Sequence, residues 1–139
     1  MKKLETYLFF NGNCAEAMGF YERVLGGKVN SVSVKDSPMA GELPPAKSDW
    51  LLHSKLDADQ ATIMASDWMH TEPYPGMQGF YVCLTVPTAA EGKSLFDKLS
   101  EGGKVNMPFG KTFYSDGFGM LVDRFGTPWM VMAETNTQS

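Results

Sequence analysis

Gly26-Gly27-Lys28-Val29-Asn30 recurs as Gly102-Gly103-Lys104-Val105-Asn106, an offset of 76 residues from position 26 to position 102. At the same offset Leu8 meets Leu84 and Phe20 meets Phe96. A five-residue identity proves little alone. Here each copy follows a helical pattern of apolar residues, so the chain reads as two copies of one unit.

Working outward from the first copy, Leu4 to Phe10 is short, aromatic and apolar, and reads as a strand. Asn13 offers an N-cap, with Glu16 three residues on. Cys14, Ala17, Met18, Tyr21, Val24 and Leu25 then follow at helical spacing. Gly26-Gly27 stops that helix, because glycine enters the left-handed region without steric cost. Val29 to Val34 alternates with polar residues and predicts a strand. Trp50 to Leu56 and Ala61 to Ser66 predict a hairpin around Asp57-Ala58-Asp59-Gln60. That pairing sets His53 opposite Met64 and Lys55 opposite Thr62.

Around the second copy the order repeats. Phe80 to Val86 has a clean period of two, with Tyr81, Cys83 and Thr85 on the polar face. Thr88 and Glu91 form a capping box after Pro87. Gly92, Leu95, Phe96 and Leu99 line one helical face before Gly102-Gly103. Strands follow near Val105 to Met107, Tyr114 to Asp123 and Pro128 to Ala133, the last two joined by Asp123-Arg124-Phe125-Gly126. Met64 and Met130 are 66 residues apart, so the first unit has about ten extra residues relative to the repeat. The excess falls in the aperiodic stretch Asp36 to Asp49, where mobility is expected. The predicted organisation is a first βαβββ unit at 1–66, a connector at 67–78 and a second unit at 79–135.

Composition narrows the function classes. The chain has 139 residues, 43% of them hydrophobic, enough for a packed core. Its net charge is −4 with no basic run, which argues against nucleic acid and anionic membranes as partners. No apolar run approaches the length of a membrane span, and Met1-Lys2-Lys3 is not followed by an apolar export segment. Cys14 and Cys83 lack CxxC spacing and are expected to be reduced, buried thiols in a cytoplasmic protein.

A helix covers one face of each four-stranded sheet, so the other face needs a partner. Two such faces make an incomplete barrel with a groove, within one chain or between two. Open sheet edges favour a homodimer. The groove is the default ligand site.

Phe10-Asn11-Gly12-Asn13-Cys14-Ala15-Glu16-Ala17 with Phe20-Tyr21 resembles the start of PhnB-like proteins. So do Met64-Ala65-Ser66-Asp67, Phe118-Gly119 and Asp123-Arg124-Phe125-Gly126-Thr127-Pro128-Trp129. The chain is thus similar to the PhnB-like, 3-demethylubiquinone methyltransferase-like family of the vicinal-oxygen-chelate (glyoxalase/bleomycin-resistance/dioxygenase) superfamily. The resemblance implies an α+β fold of two βαβββ units forming glyoxalase-like incomplete barrels. It also implies a divalent metal held by inward side chains on the first and last strand of each unit. The matching positions carry Glu5 (or Thr6, after a one-residue shift), Met64, Tyr81 and Met130, too few oxygen or imidazole donors for such an ion. No metal and no other cofactor is therefore expected. Methyltransferase chemistry also lacks support, since both Gly-Gly pairs follow helices rather than strands.

His53 is the catalytic candidate, projecting beside Met64 as a general base. The resemblance agrees, since PhnB-like sequences tend to carry histidine at this strand position. The ligand-binding candidates are Glu5, Tyr7, His53, Met64, Tyr81, Cys83, Tyr114 and Met130. Tyr81 suits ligand orientation through its hydroxyl. Cys83 reads as a small core residue before a nucleophile. Asp67, His70 and Glu72 read as a solvated loop before a metal site. Trp50 and Trp129 are assigned to the core, Trp68 and Tyr114 to the groove mouth. The expected function is metal-free binding of an apolar or aromatic small molecule. The alternative is a glyoxalase-type lyase or isomerase with an atypical active site.

Overall fold

The computed structural model describes residues 2–134. The expected outer limits of the two units, 1 and 135, lie outside the described residues. The chain divides into two compact units, Met1–Gly76 and Met77–Ser139.

The first unit runs β1 (Thr6–Phe10), α1 (Cys14–Leu25), β2 (Lys28–Ser33), β3 (Leu51–Ala58) and β4 (Ala61–Asp67). Its sheet has the order β1-β4-β3-β2, with β1 parallel to β4 and the other pairs antiparallel. The second unit runs β5 (Val82–Val86), α2 (Ala89–Ser100), β6 (Lys104–Gly110), β7 (Phe118–Val122) and β8 (Pro128–Ala133). Its sheet has the order β5-β8-β7-β6, again with one parallel pair, β5 with β8. Both sheets are open, and the duplicated βαβββ architecture is the predicted one.

Each helix buries its apolar stripe on its own sheet. In the first unit Cys14, Ala17, Met18, Phe20 and Tyr21 meet a floor of Leu8, Phe10, Leu56, Ile63 and Ala65, all buried. In the second, Gly92, Phe96 and Leu99 lie over Val86, Leu121, Trp129, Val131 and Ala133. Burying such side chains stabilises each unit by about 1.5–3 kcal/mol per large residue.

The repeated Gly-Gly pair has two physical causes. Gly26 and Gly102 turn the chain out of its helix at φ +79° and +75°, a region that L side chains rarely adopt. Gly27 and Gly103 sit where a Cβ would strike a strand carbonyl, that of Asp57 on β3 and of Val122 on β7. The identity therefore marks the same tight passage from helix to edge strand in both units.

Local details depart from expectation in instructive ways. Thr88 caps α2 as predicted, accepting from the Glu91 N–H at 3.2 Å. Asn13 makes no side-chain cap on α1. Asp67, arriving from β4, accepts from the Gly12 and Cys14 N–H groups at 2.8 and 3.0 Å instead. The β3–β4 hairpin closes with two residues, Asp59 and Gln60, because Asp59 takes φ +54° and Ala58 pairs with Ala61. Met64 consequently faces Lys55, not His53. The shift is two residues, so His53 keeps its face.

Trp50 is half-buried rather than core. It precedes β3, its ring rests against Gly12, and the Lys47 ammonium lies 4.7 Å from its centre. The strand expected from Tyr114 begins only at Phe118. The hydroxyl of buried Ser115 lies 2.7 and 2.8 Å from the Gly117 and Ala133 carbonyls and shares its one proton between them, fixing the segment that leads into β7. The stretch between β2 and β3 has two short 3-10 turns, Val34–Asp36 and Pro45–Lys47. Its base is tied by Val34 N–H to the Trp50 carbonyl and Lys35 N–H to the Ser48 carbonyl. No described helix is long and apolar enough to cross a membrane.

Candidate functional site

The face of the first sheet turned away from α1 carries a run of aromatic rings. Strand alternation produces it: Leu8 and Phe10 point to the core at 2% and 1% exposure, Tyr7 and Phe9 away from it at 40% and 37%. The Tyr7 hydroxyl and His53 Nδ1 are 3.2 Å apart, a hydrogen bond from β1 to β3 across the intervening β4. Tyr7 is also the register partner of Met64. The rings of Tyr7 and His53 are 5.8 Å apart, those of Tyr7 and Phe9 5.2 Å, and Trp68 meets Phe9 edge-on at 5.4 Å.

The segment after β4 fixes the far end of this run. Trp68 N–H bonds the Phe10 carbonyl at 2.7 Å, extending the ladder by one residue. Its indole N–H donates to the Glu72 carbonyl at 2.8 Å, and its ring lies 4.5 Å from His70. The Tyr74 hydroxyl donates to the Phe9 carbonyl at 2.6 Å. Burial, with Asp67 nearby, pushes the Tyr74 hydroxyl above its ordinary pKa, so it remains a donor.

Asp67 is no loop residue. It ends β4 at 1% exposure and accepts a third N–H, that of Leu51, at 2.8 Å. Next to it the Cys14 thiol is pushed far up by burial first and by the Asp67 charge second, so it is an inert neutral thiol. Asp67, His70 and Glu72 form no metal-binding group among the described residues, and the solvated-loop reading fails for Asp67, which is committed to backbone N–H groups.

On the corresponding face of the second sheet, Cys83 is exposed, against the expectation of a buried thiol. Val82, Leu84 and Val86 take the helix side of β5, which leaves Cys83 and Thr85 on the open side. Cys83 pairs with Met130, and its Sγ lies 3.9 Å from the Thr85 hydroxyl. The Tyr81 hydroxyl accepts from Asn106 Nδ2 at 3.1 Å. Tyr114 lies in the segment before β7, its ring 5.7 Å from Phe118. Glu5 precedes β1 and is half-buried.

The predicted site residues thus fall into two groups. Tyr7, His53 and Met64 share the open face of the first sheet. Cys83 and Met130 share that of the second, with Tyr81 two residues before Cys83. Phe9 was missed, although its alternation with Leu8 and Phe10 was a usable signal. A hard or borderline divalent ion does not fit this donor set. The side chains next to Met64 and Met130 are a phenol and a thiol. Among the described residues no three His, Cys, Asp or Glu side chains gather as a metal-binding group.

Two open four-stranded sheets, each with one parallel outer pair and a helix on one face, define a duplicated βαβββ protein. The chain belongs to the Glyoxalase/Bleomycin resistance protein/Dioxygenase superfamily, whose family model matches residues 3–131. It is 32% identical over 140 residues to Protein YjdN of Escherichia coli (strain K12), covering 92% of each chain. Among solved structures it is similar to protein PA1353 from Pseudomonas aeruginosa, with 40% identity, a TM-score of 0.89, and coverage of 98% of this chain and 100% of that one. A putative 3-demethylubiquinone-9 3-methyltransferase, PhnB protein, from Bacillus cereus shares the fold at 24% identity and TM-score 0.74, over 95% and 99% of the two chains.

Proposed function

We propose that the protein binds a small planar apolar or aromatic molecule, without a divalent metal, on the open face of its first sheet. The observation that carries this reading is the continuous run of exposed His53, Tyr7 and Phe9 and half-buried Trp68 on one face, held by hydrogen bonds at both ends. Aromatic faces and edges supply large contact area with little entropy to lose. Met64, beside Tyr7 on the neighbouring strand, adds a soft, adaptable contact. Glu5 supplies a carboxylate near the start of β1. Tyr81, Cys83, Tyr114 and Met130 are proposed ligand contacts of the second unit.

Titration with a panel of aromatic metabolites, read by tryptophan fluorescence, tests the proposal. Saturable quenching that survives chelator and disappears in Trp68→Leu is expected. A flat response across the panel in the native protein would sink it.

The Tyr7–His53 hydrogen bond favours a second reading, a glyoxalase-type lyase or isomerase. There His53 is a general base oriented by the Tyr7 hydroxyl. Turnover lost in both His53→Gln and Tyr7→Phe would support it. We also propose a cytoplasmic homodimer, from the two unpaired thiols and the open sheet edges. Sedimentation equilibrium tests the dimer.

A further inference from the structure

The open face of the second sheet holds a row of sulfur atoms, one from each strand. Cys83 on β5 pairs with Met130 on β8, Met130 with Met120 on β7, and Met120 with Met107 on β6. Directly paired residues share a face, so one thiol and three thioethers form a single line across the sheet. Met132, two residues beyond Met130, adds a fifth sulfur to the same face.

The sheet is curled towards this face. The Tyr81–Asn106 hydrogen bond of 3.1 Å joins the chain at the start of β5 to β6, the two outer strands of the order β5-β8-β7-β6. In a flat sheet those strands lie about 14 Å apart, beyond the reach of two such side chains. Curling brings side-chain ends closer together than their backbones.

We propose that this face binds one soft monovalent cation of the Cu(I) class through Cys83, Met130 and Met120, with Met107 at the end of the row. Thiolate and thioether donors select such ions over hard or borderline ones. A metal–sulfur bond of about 2.3 Å sets two sulfurs on opposite sides of an ion about 4.6 Å apart. Neighbouring strands are separated by about 4.8 Å, so one neighbouring pair of sulfurs matches that span, and the third reaches the ion when its flexible thioether side chain swings inward. Lys104, paired with Val122 on this side of the sheet, disfavours a doubly charged ion. The row shares Cys83 and Met130 with the ligand contacts proposed above, but it needs no organic ligand to hold the ion.

The test is Ag(I), an air-stable probe, and then Cu(I) under anaerobic reducing conditions, added to full-length protein carrying 13C-methyl methionine. Expected is one ion per chain, with shifts of the Met107, Met120 and Met130 methyl signals and none at buried Met18. Cys83→Ser and the near-isosteric Met130→Leu should each weaken binding by about tenfold or more, at least what losing an outer-shell partner costs. Zn(II) should move nothing in the row. Shifts absent from the row, unchanged affinity in Cys83→Ser, or equal binding of Zn(II) would each overturn the proposal. Cys83 is exposed, so its serine variant keeps the test decisive even where Met130→Leu fails to fold.

Discussion

Replacing Asp67 by alanine removes the acceptor that the Gly12, Cys14 and Leu51 N–H groups share. Two of those bonds are buried, and a buried donor left without a partner costs about 1–3 kcal/mol. Asp67→Ala should therefore lose about 3 kcal/mol or more in urea denaturation, and Asp67→Asn, which retains one oxygen, less. Cys14 makes a complementary prediction. Its folded-state pKa is raised, so in alkali the unfolded chain gives up that proton while the folded chain keeps it. The contribution is complete below the unfolded thiol value of about 8.5 and is lost as pH rises past it, with a slope of at most about 1.4 kcal/mol per pH unit. Denaturation midpoints at pH 8 to 10 should fall more steeply in the native protein than in Cys14→Ala. Exposed Cys83 should react with a thiol reagent before unfolding, and Cys14 only after it.

Elements were legible in the sequence where one local signal decides them. The helix stripes, the Thr88 cap and the alternation of β5 all depend on residues a few positions apart. What escaped depends on a partner distant in sequence. Asp67 looks like a loop acid until β4 brings it beside the turn before α1, 53 residues away from Cys14. Cys83 looks like a core residue until the helix side of β5 is known. The face of His53 was readable from parity, while its rung was not, because the turn type at Asp59 sets register. A helix stop, the local signal in each Gly-Gly pair, accounts only for the first glycine. The second is required by a strand carbonyl. Gly103→Ala should therefore destabilise by about 1–3 kcal/mol, the usual cost of forcing atoms into packed space. Gly110→Ala, with open space around it, should cost less. Paired thermal melts of the two variants check this.

At the scale of the whole molecule, a divalent metal would bind the folded chain and not the unfolded one, raising stability by mass action. An ion held a thousandfold more tightly than its free concentration adds about 4 kcal/mol. For a chain of this size that is a shift of roughly 10 °C or more. The side chains at the superfamily's chelating positions argue that no such term exists here. The partners of Met64 and Met130 are Tyr7 and Cys83, and each unit already folds around its own buried core. Thermal melts with excess EDTA, and after addition of Zn(II), Ni(II) or Fe(II), should therefore coincide within about 1 °C. A rise of several degrees with any of these ions, reversed by EDTA, would show that oxygen or nitrogen donors converge after all. Glu5 and His53 would then be the first residues to replace.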